Sequence, residues 1–146
     1  MSIPSIKLTA EEMRYISLFE SVTGAVTRDC IIDNKVNRLI FIVRSGDMGL
    51  AIGRRGINVR RLQRMIGKTI EIVEHADTPE NLIKNSLAPA RVRAIKISKS
   101  PNGKKIAYVT IEPQDKGIAI GKEGRNIARA RILAKRYFDI DNVIIL

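Results

Sequence analysis

Apolar residues recur along this chain with two periods, and the alternation between those periods lays out its elements. Thr9-Ala10-Glu11-Glu12 has the spacing of a capping box, and Met13, Ile16, Leu18, Phe19 and Val22 follow at helical intervals until Gly24. Val26 to Ile32 and Val36 to Val43 are rich in β-branched and aliphatic residues. They flank Asp33-Asn34-Lys35, which predicts a hairpin. A short helix is expected from Met48 to Ile52, then a turn from Gly53 to Gly56. A second helix then runs from Ile57 to about Ile66 and stops at Gly67. Thr69 to Glu74 alternates as a strand does.

The same order then starts again. Thr78 is suited to cap a helix and Pro79 to open it, so a helix is expected from Pro79 to Leu87, followed by Pro89. Arg91 to Ser98 and Lys104 to Ile111 read as strands around Ser100-Pro101-Asn102-Gly103, where Asn-Gly is a hairpin signal. A short helix from Lys116 to Ile120, a turn from Gly121 to Gly124, a helix from Arg125 to about Tyr137 and a strand from Asn142 to Leu146 complete the chain. Each half reads α-β-β-α-α-β, with a loop between its second and third helices. The expected domains are residues 1–76 and 77–146.

The loops are the most closely repeated part. Ile52-Gly53-Arg54-Arg55-Gly56 and Ile120-Gly121-Lys122-Glu123-Gly124 lie 68 residues apart, and the likeness extends outward without a gap from Asp47 to Arg61 and from Asp115 to Arg129. Asp, Gly, Ala, Gly, Gly, Asn and Arg recur there at equal positions. A repeat of this period indicates one structural unit used twice.

Charge sharpens that picture. The chain carries a formal +11 with a pI near 10.2, which points to an anionic partner. Arg44, Arg54, Arg55, Arg60, Arg61, Arg64 and Lys68 stand against Asp47 alone around the first loop. Lys116, Lys122, Arg125, Arg129, Arg131, Lys135 and Arg136 stand against Glu123 around the second, and Arg91 to Lys105 holds further bases and no acid. Hydrophobic content of 45%, including 24 isoleucines, is ample for a core. No apolar run approaches the length of a membrane span, and the N-terminus lacks the apolar core of a signal peptide. One cysteine, Cys30, excludes an internal disulfide and fits a reducing cytoplasm. A cytoplasmic location and no membrane partner are therefore expected.

On these residues each half resembles a KH domain of the type II arrangement, in which a helix and a strand precede the shared core. The elements upstream of Gly53 match those additions, and the end at Leu146 leaves no room for the C-terminal helix of type I. The stretches Ala51 to Arg60 and Ala119 to Ala128 are similar to the paired KH domains of the NusA transcription factors, over nearly all of Thr9 to Leu146. The short form, a KH pair alone, resembles the archaeal branch of that family. The resemblance implies an α+β fold of two tandem type II KH domains, each with a three-stranded sheet packed by helices on one face. It also implies single-stranded RNA as partner, with RNA polymerase as a second.

Local chemistry supports the RNA reading. Glycines at 53, 56, 121 and 124 let the backbone turn sharply and approach a strand closely. Each loop opens a helix whose N-terminal N–H groups favour phosphate oxygens. The candidate RNA contacts are Ile52, Gly53, Arg54, Arg55, Gly56, Asn58, Arg60 and Arg61 in the first half. In the second they are Ile120, Gly121, Lys122, Glu123, Gly124, Arg125, Asn126 and Arg129. Val59, Leu62 and Ile66 form a core stripe that Arg60, Arg61, Arg64 and Lys68 avoid. Ile52, Ile57, Ile70, Ile120 and Ile127 are candidate aliphatic supports for bases, with Ile70 and Ile127 read as core. Glu123 departs from a fully basic loop, Arg125 can compensate, and the first loop is expected to supply more electrostatic affinity. One KH unit holds about four nucleotides, so two give a site of roughly eight or more if the short junction holds them side by side.

Other chemistries fail on particulars. Three Tyr, three Phe and no Trp, none within the loops, disfavour readers that stack bases on aromatic platforms. Gly117 to Glu123 is one residue short of a P-loop and has Glu where Mg²⁺ needs Ser or Thr, and Gly49, Gly53 and Gly56 miss the dinucleotide fingerprint. His75 and Cys30 are singletons, too few for zinc or a nucleophile pair. Asp47 and Asp115 read as helix N-caps. No catalytic residue, cofactor, metal or small-molecule substrate is expected. The leading function is a non-catalytic RNA-binding factor of transcription elongation or termination. Alternatives are a KH protein of ribosome biogenesis or RNA processing, and a basic scaffold docking on an acidic polymerase subunit.

Overall fold

Thr9 opens the first helix in the way its spacing suggests. Its Oγ1 accepts from the Glu12 N–H at 3.1 Å, and Glu12 Oε1 accepts from the Thr9 N–H at 2.7 Å, the reciprocal capping box. The computed structural model describes residues 6–146. They divide into two units, residues 6–75 and 76–146.

In the first unit α1 (Ala10–Thr23) ends at Gly24, which takes a left-handed φ of 76°. Strands β1 (Thr27–Asp33) and β2 (Arg38–Val43) pair antiparallel. Helices α2 (Met48–Ile52) and α3 (Ile57–Ile66) follow, and β3 (Thr69–Glu74) returns parallel to β2, giving the order β1-β2-β3. Strand β2 is central because Leu39 to Val43 has no polar residue, and every one of its side chains is out of solvent. Leu39, Phe41 and Val43 join the core built with Phe19, Ala51 and Leu62. Phe19 stacks on Phe41 with ring centroids 4.2 Å apart. Strand β2 begins at Arg38, not at the expected Val36, because Asn37 takes a left-handed φ of 52° and its carbonyl accepts from the Thr69 N–H. Arg38 is 1% exposed, with Nε 2.9 Å from Asp33 and Nη1 3.1 Å from Glu71, so one buried cation ties all three strands together.

The second unit repeats this order. Thr78 accepts from the Asn81 N–H and Pro79 takes the first position of α4 (Pro79–Ser86). Strands β4 (Val92–Lys99) and β5 (Lys105–Ile111) are antiparallel, α5 (Lys116–Ile120) and α6 (Arg125–Phe138) follow, and β6 (Asn142–Ile145) runs parallel to β5. The sheet order is β4-β5-β6. In the β4–β5 turn the Gly103 N–H donates to Ser100 O and only Gly103 takes a positive φ, of 86°. The turn is therefore a type I turn closed by a left-handed glycine, longer than the two-residue Asn-Gly hairpin. Each first strand carries a register shift at the same place, between Thr27 and Asp29 and between Val92 and Ala94. The two α-β-β-α-α-β units thus agree down to the irregularities of their strands.

Candidate nucleic-acid interface

Four residues separate the short helix from the long one in each unit, and their backbones coincide. Gly53 and Gly121 have φ/ψ of 77°/168° and 78°/170°, a region that only glycine occupies readily. Arg55 and Glu123 are left-handed at 55°/29° and 57°/27°, as are Gly56 and Gly124 at φ 72° and 73°. Two consecutive left-handed residues turn the chain straight into α3 or α6. No side chain caps either helix, and the Ile57 and Arg125 N–H groups donate to the carbonyls of Arg54 and Lys122 within the loops.

Asn58 and Asn126, expected to touch RNA, sit beneath these turns. Their Nδ2 atoms donate to the carbonyls of Leu50 and Ile118, each at 2.8 Å, bridging the end of the short helix to the start of the long one. A Cβ at Gly53 would lie 2.9 Å from the Asn58 amide, and one at Gly121 would lie 2.8 Å from that of Asn126. Each Asn amide group therefore fills the space its glycine leaves and holds the loop in shape.

Asp47 and Asp115 occupy the N-cap positions of α2 and α5, yet neither side chain caps its helix, which corrects the expected role. Asp47 Oδ2 accepts from the Val26 N–H at 2.8 Å and pairs with Arg44. Asp115 Oδ2 accepts from the Arg91 N–H and Nε, both at 2.9 Å. Each carboxylate anchors the loop helix to the residue that enters the first strand. The Val26 N–H, and secondarily Arg44, hold the Asp47 pKa below its ordinary value. The Arg91 side chain, then its N–H, does the same for Asp115.

Around the first loop, Arg54 and Arg55 are exposed and make no ion pair among the described residues. Arg60 Nη1 donates to the Arg55 carbonyl and braces the loop from α3. Arg61 is exposed and bonds to none of the described residues. Ile52 and Ile57 present 38% and 43% of their surface to solvent. Leu50, at 53%, stands beside them on α2, a position the sequence reading missed. Ile118 is its missed counterpart on α5, beside the exposed Ile120. Their signal was available, since aliphatic residues recur at equal places on helices too short to bury both faces. Ile70 and Ile127 are core, 5% and 7% exposed, as their patterns indicate.

The second loop differs in its charges. Lys122 and Glu123 are exposed, and Arg125 lies 3.9 Å from Glu123, so the loop partly neutralises itself. Arg129, expected on the interface, is buried. Its Nε and Nη2 donate to the Ser86 carbonyl at 3.0 and 2.7 Å, joining α6 to the end of α4. The guanidinium is committed to packing.

Among the described residues no group of His, Cys, Asp and Glu is arranged to hold a metal ion, and no helix is long and apolar enough to cross a membrane.

Comparison with known proteins agrees with this geometry. Residues 79–145 match the family described as NusA-like second KH domain, and residues 13–100 match the KH domain family. The probable transcription termination protein NusA of Halococcus morrhuae is 41% identical over 138 residues, 94% of this chain and 96% of that protein. Its namesake in Halobacterium salinarum is 39% identical, covering 95% of this chain and 97% of that one. The crystal structure of APE1850 superposes with a TM-score of 0.85 at 39% identity, covering 95% of this chain and 100% of that one. The repeated α-β-β-α-α-β units and their matched Gly-x-x-Gly loops are those of KH domains, and the chain belongs to the NusA family in its short, KH-domain form.

Proposed function

We propose that this protein binds single-stranded RNA on its two Gly-x-x-Gly loops and acts on transcription elongation and termination through that RNA, without catalysing a reaction. The observation that carries the reading is the doubled loop itself. Two backbones with matched left-handed turns each open a helix that no side chain caps, with exposed cations and exposed aliphatic side chains around the loop. Such a loop offers N–H groups and positive charge to phosphates, and Leu50, Ile52 and Ile57 or Ile118 and Ile120 offer apolar surface to bases. The contacts are Gly53 to Gly56 with Arg61, and Gly121 to Arg125. Asn58, Asn126 and Arg60 position them. RNA polymerase is the second partner and the cytoplasm the site of action, which follows from the family's role in transcription.

Two measurements test this. Selection from a random RNA pool should enrich unstructured sequences that bind the intact chain. Tagged protein recovered from its native cells should bring RNA polymerase and nascent transcripts. Recovery of ribosomal subunits without polymerase would place the protein in ribosome biogenesis instead.

A further inference from the structure

The two units share an arginine at the fifth position of the helix that follows the loop, and they use it in opposite ways. Arg129 is covered by α4 and spent on the Ser86 carbonyl. Arg61 is exposed with no partner among the described residues. The helix around Arg61 is open to match. Leu62, with Val59 and Ile66, faces the core of the first unit, while the opposite side of α3 carries Ile57, Arg60, Arg61, Arg64 and Met65 and leads to Lys68. No acid lies on this helix, and none of its cations forms an ion pair among the described residues. Met65 is 55% exposed and Ile57 43%, so apolar surface is interleaved with the charge.

We infer that this ridge of α3 is a phosphate track that continues the first loop, so that the first unit holds a longer stretch of RNA backbone than the second. The inference rests on the RNA-binding reading above. Residues three and four apart on a helix lie about 5–6 Å from one another, a step that successive phosphates of an extended strand can follow. The ridge is continuous with Arg54 and Arg55, so one polyanion can satisfy both. A folded acidic partner would have to match the same line of long, separately mobile side chains. Unpaired arginines favour phosphate oxygens because the planar guanidinium reaches two at once. In the second unit the track is missing, since Ala128 replaces Arg60 and Arg129 is buried.

The test uses the full chain with Arg61→Gln, Arg64→Gln and Lys68→Gln together, which keeps long side chains of good helix propensity. Binding is followed across salt with an RNA of about four nucleotides, the span of one clamp, and with one several times longer. A control variant, Lys96→Gln, Lys99→Gln and Lys104→Gln, removes the same charge from exposed positions of the second unit. On the short RNA the ridge variant should lose only the Arg61 contact, a fall of about 0.7 in log–log salt slope. On the long RNA its log–log salt slope should fall by about two, at about 0.7 per lost phosphate contact. The control should keep its slope. An unchanged slope for the ridge variant on long RNA, or an equal fall in the control, overturns the track. So does a ridge variant that keeps RNA binding and loses only an acidic protein partner. Failure of the unaltered chain to bind either RNA overturns the RNA-binding reading itself, which separates the two.

Discussion

The amide of Asn58 fills the space beside Gly53 that a Cβ would need, and the same pairing recurs at Asn126 and Gly121. Gly53→Ala should therefore cost stability twice, through a φ/ψ that only glycine adopts readily and through the displaced amide. Together these are about 1–3 kcal/mol, read as a lower denaturant midpoint. Gly124→Ala should cost less, because its Cβ meets nothing closer than 3.9 Å and its left-handed backbone is milder. The aspartates that anchor the loop helices have a different signature. Their folded-state pKa values lie below the ordinary 3.8, so the unfolded chain takes up protons first as pH falls. The stabilisation they give is complete above that value and is lost as pH drops through the folded-state pKa. Asp47→Asn with Asp115→Asn keeps an acceptor for the Val26 and Arg91 N–H groups and removes the titration. Unfolding midpoints measured from pH 6 downward should then fall less steeply below about pH 4 than those of the unaltered protein.

At the scale of elements, Arg61 and Arg129 make the contrast testable. Arg129→Ala removes two bonds to a buried carbonyl and should destabilise the fold by about 1–3 kcal/mol. Arg61→Ala should leave stability within about 0.5 kcal/mol and weaken RNA binding instead. The sequence could not separate these two arginines, because they are the same residue in the same register after the same loop. Their fates are set by a helix far away in the chain, α4 lying on α6, which local pattern does not reveal. The elements themselves were legible, since alternation, capping residues and glycine stops act within a few residues of where they are read. The misses arose where a local signal had a distant competitor. Asp47 and Asp115 resemble N-caps, but the N–H groups of Val26 and Arg91 claim their carboxylates. Asn102-Gly103 resembles a two-residue hairpin, but Ser100 draws the turn into a longer form. Leu50 and Ile118 each read as core when taken singly, and only their recurrence at equal places on two short helices signals the exposure that the fold gives them.

Across the whole molecule the two loops share a backbone and differ in charge. Arg54 and Arg55 leave the first loop doubly cationic, while Glu123 and its neighbour Arg125 offset each other in the second. Arg55→Glu should consequently weaken RNA binding more than Glu123→Arg strengthens it, and only the former should flatten the salt dependence markedly. The central claim, that RNA is held by these loops, is tested most directly by one comparison. Arg54→Asp, Arg55→Asp and Lys122→Asp together convert both loops to acid, with Asp chosen because it tolerates the left-handed turn at position 55. Binding of single-stranded RNA by this variant and by the unaltered chain should be measured across salt, with thermal unfolding confirming that both are folded. The expected result is a large loss of affinity and a log–log slope shallower by about two. A folded variant that binds RNA with the same affinity and the same slope would contradict the account.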